Sequence, residues 1–264
     1  RRRRVSNVVY KFVPLAIGDR ELLQSWLNRP HVAERWNGGD AFRSAFFNAL
    51  SMSFPVGEQY FMDSVRAGLK TLPEEKRAQF AAEVQGFVGQ EATHRRVHAL
   101  FNGHLERMGY ANTIAERATA RIKKQAHLDP RMHVAGTAAT EHFTALFADW
   151  MLRHPEALEG AEERLQTLWL WHSAEESEHR NTAFDIYQAM GGSHVWRVRV
   201  FRYVSFIFMF DLLRQTVRNL WHDGSLFKPS TWRSCSHSNL FVCVSHNDAP
   251  KTRTQVFHRR RERK

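Results

Sequence analysis

The stretch "LWHSAEESEHR", residues 170–180, sets His172, Glu175, Glu176, Glu178 and His179 beside Trp169, Leu170 and Trp171. Acids and imidazoles crowded against large apolar side chains mark a helix that turns a polar stripe inward. At about 100° per residue, His172, Glu176 and His179, spaced i, i+4, i+7, fall within roughly 60° of one another. Glu175 and Glu178 flank that stripe and are expected to face solvent or to pair with neighbours such as Arg180.

Working outward, an earlier helical stretch, "QEATHRRVH", repeats the pattern: Glu91 and His94 are i, i+3, and His98 continues their face one turn on. Two further apolar segments each carry a lone acid, Glu58 in "FPVGEQYF" and Glu141 in "GTAATEHFTALF". Glu83 and Glu106 lack an apolar setting and are read as surface. A single Glu-x-x-His is weak evidence. The ordered set is specific, because a helical-bundle dimetal site needs one Glu from each of two helices and one Glu-x-x-His from each of two others. Two divalent cations bring four positive charges, which four carboxylates neutralise, while imidazoles favour iron or manganese over calcium or magnesium. Without a metal, such carboxylates are costly to bury in ionised form. The expected metal-ligand set is therefore Glu58, Glu91, His94, Glu141, Glu176 and His179, with His172 a further ligand-type residue on the same stripe and His98 a supporting residue or alternative ligand. The expected cofactor is a pair of metal ions, iron first and manganese second.

The rest of the chain is consistent with a bundle. Apolar residues recur at helical spacing from Ala41, and Pro55 either kinks that helix or opens the next. Further helices are expected from "LPEEKR" to about Met108, over about 112–127, from about Met132 to Arg153, over about 157–190, and from about His194 to His222. Strand signals are nearly absent between 41 and 222. Long helices with short connections predict an all-α antiparallel bundle with an additional C-terminal helix. The expected organisation is an irregular N-terminal extension (1–40), a metal-binding helical domain (41–228) and a polar, basic, disordered tail (229–264).

The formal net charge of +11 suggests nucleic acid until it is located. Arg1–Arg4 contribute four charges and residues 259–264 a net four more, so eight of eleven sit in terminal runs of a kind that is usually solvated. Nucleic acid is thus not the expected partner. Cys235 and Cys243 match no zinc spacing and form no disulfide framework, and no signal peptide is visible, so a cytoplasmic location is expected. The segment 195–213, "VWRVRVFRYVSFIFMFDLL", is broken by Arg197, Arg199, Arg202 and Asp211. Its longest uncharged run is Tyr203–Phe210, well short of the roughly 20 residues needed to span a bilayer. It is read first as a core helix and second as an interfacial helix giving peripheral membrane contact.

The order Glu58, Glu91-x-x-His94, Glu141, Glu176-x-x-His179 resembles the ferritin-like di-iron carboxylate superfamily. The added His172 resembles the arylamine N-oxygenase branch of it. The wording "FPVGEQYF", "FVGQEATHRRVHALFN" and "WLWHSAEESEHRNTAFDIY" is similar to a bacterial family of predicted metal-dependent hydrolases, over about residues 40–228. The resemblance implies that Glu91 and Glu176 bridge the metals at the catalytic centre. It implies that Glu58 and Glu141 are terminal ligands, that His94 and His179 each bind one metal, and that His172 adds a nitrogen. Three functions follow. The first is an O2-activating oxidoreductase acting on a small organic substrate in an apolar pocket, served by an electron donor. Phe61, Phe87, Phe143, Phe147, Trp169 and Phe184 suit such a pocket. The alternative is a hydrolase using a metal-bound hydroxide; the third is metal binding without catalysis.

Overall fold

Asp40 opens the first helix by accepting a hydrogen bond from the Arg43 amide at 2.9 Å. That helix, α1 (Ala41–Thr71), continues past Pro55. A proline inside a helix removes the donor to the carbonyl four residues back, here that of Ser51. The Asn102 side-chain amide supplies the missing donor, reaching Ser51 O at 3.0 Å, and the Asn112 amide reaches Met52 O at 3.1 Å. Pro55 therefore neither ends one helix nor starts another.

The computed structural model describes residues 32–178 and 181–237. After α1 come α2 (Glu74–Arg107), α3 (Thr113–Gln125), α4 (Pro130–Arg153), a 3-10 turn (Pro155–Leu158), α5 (Glu163–Glu178), α6 (Thr182–Ala189), α7 (His194–His222) and α8 (Pro229–His237). The all-α expectation holds, and the β structure among the described residues is one isolated bridge, Asn37 to Ala161. The helix expected over 157–190 is a correction. Its start is replaced by the 3-10 turn and by Gly160 at φ 74°, a left-handed conformation that cannot continue a right-handed helix. Its far end is α6, with Asn181 at its N-cap, and residues 179–180 before it lie outside the described residues.

Two apolar clusters fill the interior. One gathers Phe42, Phe46, Phe47, Val97, Phe101, Met151, Leu165 and Trp169; the other gathers Phe61, Val65, Val84, Phe87, Val134, Ala135, Ala183 and Ile186. Chain direction follows from the order in which each helix visits them. Helix α1 runs from the first cluster to the second, α2 and α4 from the second to the first, and α5 with α6 back again. The bundle is thus up-down-down-up, and α3 lies in the long crossover between α2 and α4. The adjacent pairs α1–α2, α1–α4 and α4–α5 are antiparallel, as expected. Helix α1 comes very close to α4 at Gly68, where a Cβ would lie 2.6 Å from Val134 Cγ2.

The expected extension and tail are partly structured. Trp36 is buried in the first cluster, edge-on to Phe47 and Phe101, and its Nε1 donates to Asn48 Oδ1 at 2.8 Å. The tail expected from 229 begins as α8, which packs on α1 and buries Thr231. Residues 1–31 and 238–264, with Cys243 and both terminal arginine runs, lie outside the described residues. No helix among the described residues is long and apolar enough to cross a membrane. Helix α7 packs on α1 and α4 through one side, so the core-helix reading holds for that side alone.

Candidate metal centre

Along α1, α2, α4 and α5, the ligand-type residues fall between the stretches that build the two clusters. The bundle thus carries its polar groups in a layer at mid-height, sealed above and below by apolar side chains. Glu58 is the acid of α1, Glu91, His94 and His98 line α2, Glu141 comes from α4, and His172, Glu175 and Glu176 come from α5; all are buried. His179, expected as a ligand, and Arg180 lie outside the described residues. Ligand atoms of Glu58, His94 and His172 lie within 4.8 Å of one another, and so do those of Glu91, His94 and Glu176. Glu141 joins them electrostatically, raising the pKa values of both Glu58 and Glu91.

The charge balance of this layer is unusual. Five buried carboxyls meet three buried imidazoles, and no lysine or arginine is buried among the described residues. Burial, then the charges of Glu176 and Glu141, hold the Glu58 carboxyl well above its ordinary range; Arg95 acts weakly the other way. Burial and four neighbouring carboxylates do the same to Glu91. Neither oxygen of Glu58 meets a hydrogen-bond donor among the described residues. Carboxylates arranged this way fit a cationic group far better than one another.

The hydrogen-bond relay behind the histidines shows which nitrogens are available. The Ser51 hydroxyl donates to Asn102 Oδ1 at 2.8 Å, so its oxygen accepts from His98 Nδ1, also at 2.8 Å. His98, held neutral by burial, then accepts at Nε2 from His172 Nδ1 at 2.7 Å. His172 is left with a lone pair on Nε2, 3.0 Å from Glu176 Oε1. On the other side, His94 Nε2 donates to Glu175 Oε2 at 2.9 Å. This turns His94 Nδ1 toward Glu176 Oε1 at 3.4 Å and Glu91 Oε1 at 3.7 Å. Two imidazole lone pairs therefore converge on the same carboxylate oxygen. Acceptors facing acceptors need a shared cation or proton between them, and the Glu175 carboxylate behind His94 is a usual partner of a metal-bound imidazole. The residues present fit a metal.

Glu175 was expected at the surface and is a correction. At i+3 from His172 it lies close to the stripe, and α2 crosses near enough to bury it against His94. Ser51, Asn102 and Thr144 also carried no recognisable signal; Thr144 donates to Glu176 Oε2 at 2.7 Å. Glu83 and Glu106 are exposed, as expected. Glu178 shows no described side chain.

Two cavities approach the centre. A small one of about 30 Å³ is lined by His172 and Glu176 with Phe143, Phe147 and Trp169. A larger one of about 420 Å³ lies between α1, α3, α4 and α7, and Phe61 and Tyr60 are in its wall. Phe54 and Thr144 line both, and the Phe54 ring sits 4.6 Å from the ring of His172. Of the aromatics expected around a pocket, Phe87 packs in the second cluster and Phe184 beside it instead.

Residues 20–252 match the family described as "Predicted metal-dependent hydrolase". The chain belongs to that family. The match extends beyond residues 40–228 on both sides, so α8 falls within it. No curated protein and no solved structure matches the chain. For a member of a metal-dependent hydrolase family, the convergence of buried carboxylates and imidazoles supplies the metal dependence in physical terms. The family description supports hydrolysis, the alternative function, and lends nothing to oxidation.

Proposed function

We propose that this protein is a two-metal carboxylate enzyme that hydrolyses an ester or amide with an apolar body. The observation that carries the reading is the buried layer of five carboxyls and three imidazoles, with no lysine or arginine buried among the described residues. In this reading the carboxylates of Glu58, Glu91, Glu141 and Glu176 would hold the cations. His94 and His172 would supply nitrogen through the atoms that the relay turns inward, and His179 would supply a third. Once bound, such cations polarise a carbonyl and lower the pKa of water.

The remaining work belongs to the chain. Glu175 and His98 hold His94 and His172 in one tautomer and one orientation. Thr144 fixes the outer oxygen of Glu176. The 420 Å³ cavity takes the apolar body of the substrate, and Phe54 and Thr144 separate it from the carboxylates. The Tyr60 phenol, pushed up to about 12 by burial, stays protonated in the cavity wall, held against His133.

A second reading, O2-dependent oxidation of the same class of substrate, is favoured by the up-down-down-up connectivity with a single long crossover. That connectivity belongs to ferritin-like bundles, and redox metals suit the carboxylate and imidazole donors here. Elemental analysis of protein purified without chelator should find two transition metals per chain. One zinc per chain, unchanged in the Glu91→Ala/Glu176→Ala double variant, would sink both readings. Between the two, zinc- or manganese-loaded protein should cleave acyl nitrophenyl esters. O2 uptake by iron-loaded protein, with no cleavage under any metal, would replace hydrolysis by oxidation.

A further inference from the structure

Helix α7 carries large apolar side chains on its solvent face. It buries Asp211, Gln215, Thr216 and Asn219 together with Leu212 and Leu220, and it exposes Phe206, Phe210, Leu213 and Trp221. The buried polar residues have work to do. Asp211 pairs with Arg117 and Arg121 of α3. Gln215 accepts from the Ile114 amide at 2.9 Å, and Asn219 donates to Ala45 O at 3.1 Å. Nothing in those contacts accounts for the opposite face.

That face is continuous. At about 100° per residue, Trp196, Tyr203, Phe206, Phe210, Leu213 and Trp221 fall within an arc of roughly 100°. Phe206 is 69% exposed and Trp221 66%, and Phe227, 81% exposed, lies against Trp221. With about 200 Å² per large aromatic and half of it exposed, the stripe presents on the order of 600 Å², at or above the largest apolar patch of an ordinary monomer. The exposed positions of α7 include Arg199, Arg202, Arg214 and Arg218 and no acid. Arg202 lies along one edge of the stripe, Arg214 and Arg218 along the other, and Arg199 stacks on Trp196 within it.

We propose that this face docks the protein on an anionic lipid surface. An aromatic stripe edged by arginine is the pattern of a helix that lies in the headgroup region. Charge selects this occupant over the others. A second copy would set arginine edge against arginine edge, and the chain's own terminal runs, Arg1–Arg4 and residues 259–264, are also cationic. The large cavity points the same way, since Trp196, Arg199 and Tyr203 both line it and stand in the exposed face. Docking would place the mouth of that cavity at the lipid. The inference stands on α7 and holds whichever reaction the metal centre performs.

Co-sedimentation of the full chain with vesicles tests it. The protein should pellet with phosphatidylcholine vesicles containing phosphatidylserine, remain largely in the supernatant with phosphatidylcholine alone, and be released by high salt. Phe206→Asp/Phe210→Asp, at positions already in solvent, should cut pelleting about tenfold with the helical circular dichroism unchanged. Equal pelleting of this variant and the wild type would overturn the proposal, as would a wild type that stays in the supernatant with both vesicles. A wild-type dimer that the variant converts to monomer, with no pelleting by either, would assign the face to a second copy instead.

Discussion

Glu58 and Glu91 show at single-residue scale what metal dependence means for this fold. Both carboxyls are raised well above 4.5 in the folded chain, first by burial and then by their carboxylate neighbours. A carboxyl raised on folding binds its proton more tightly folded than unfolded. Its penalty is absent below the unfolded value, near 4.5, and grows as pH climbs from there toward the raised folded value. Chelator-treated protein should therefore melt at a lower temperature at pH 8 than at pH 5. Glu58→Gln should flatten that slope and raise the melting temperature of the chelated protein at pH 8, while lowering the metal retained. A chelated melting temperature that is flat or rises with pH would mean that these carboxylates are compensated within the chain. Glu175 acts one step further out, through His94. Glu175→Gln should weaken metal binding by about 10–100-fold in competition with a chelator, and Glu83→Gln, at an exposed position, should leave it unchanged.

Among the elements, α1 and α2 are joined by the defect that Pro55 leaves. Asn102 of α2 fills the orphaned Ser51 carbonyl of α1 with its amide nitrogen and takes the Ser51 hydroxyl on its amide oxygen. One side chain thus repairs the helix and begins the relay that orients His98 and His172. Asn102→Ala should cost about 1–3 kcal/mol in denaturant unfolding, the usual penalty of an unsatisfied buried group. Alanine at position 55 restores an amide to Ser51 O, so Asn102→Ala should cost measurably less in a Pro55→Ala background. Equal costs in both backgrounds would show that the carbonyl repair is not what makes Asn102 stabilising.

Across the whole molecule, the polar layer, the cavities and α7 form one path. The carboxylates lie at mid-height, Phe54 and Thr144 stand between them and the large cavity, and that cavity reaches the exposed face of α7. A bundle sealed by apolar clusters at both ends offers a substrate a route in from the side, and α7 with α3 builds that side.

What the sequence determined by itself is local and periodic. Spacings of three, four and seven residues put Glu91 with His94 and His172 with Glu176 on single faces, because a helix repeats every 3.6 residues whatever surrounds it. The helix from His194 to His222 and the all-α class were legible for the same reason. What only the tertiary structure decided depends on partners distant in the chain. Glu175 was placed on the wrong side of its helix because its burial comes from α2, 81 residues earlier. Ser51 and Asn102 carry no periodic mark at all. Pro55 could not be read because the donor that lets the helix continue comes from another helix. The exposed aromatics of α7 reversed the ordinary rule, since its polar residues were already committed to capping and clamping α3. Local order needs only the backbone; satisfying buried polar groups needs the whole fold.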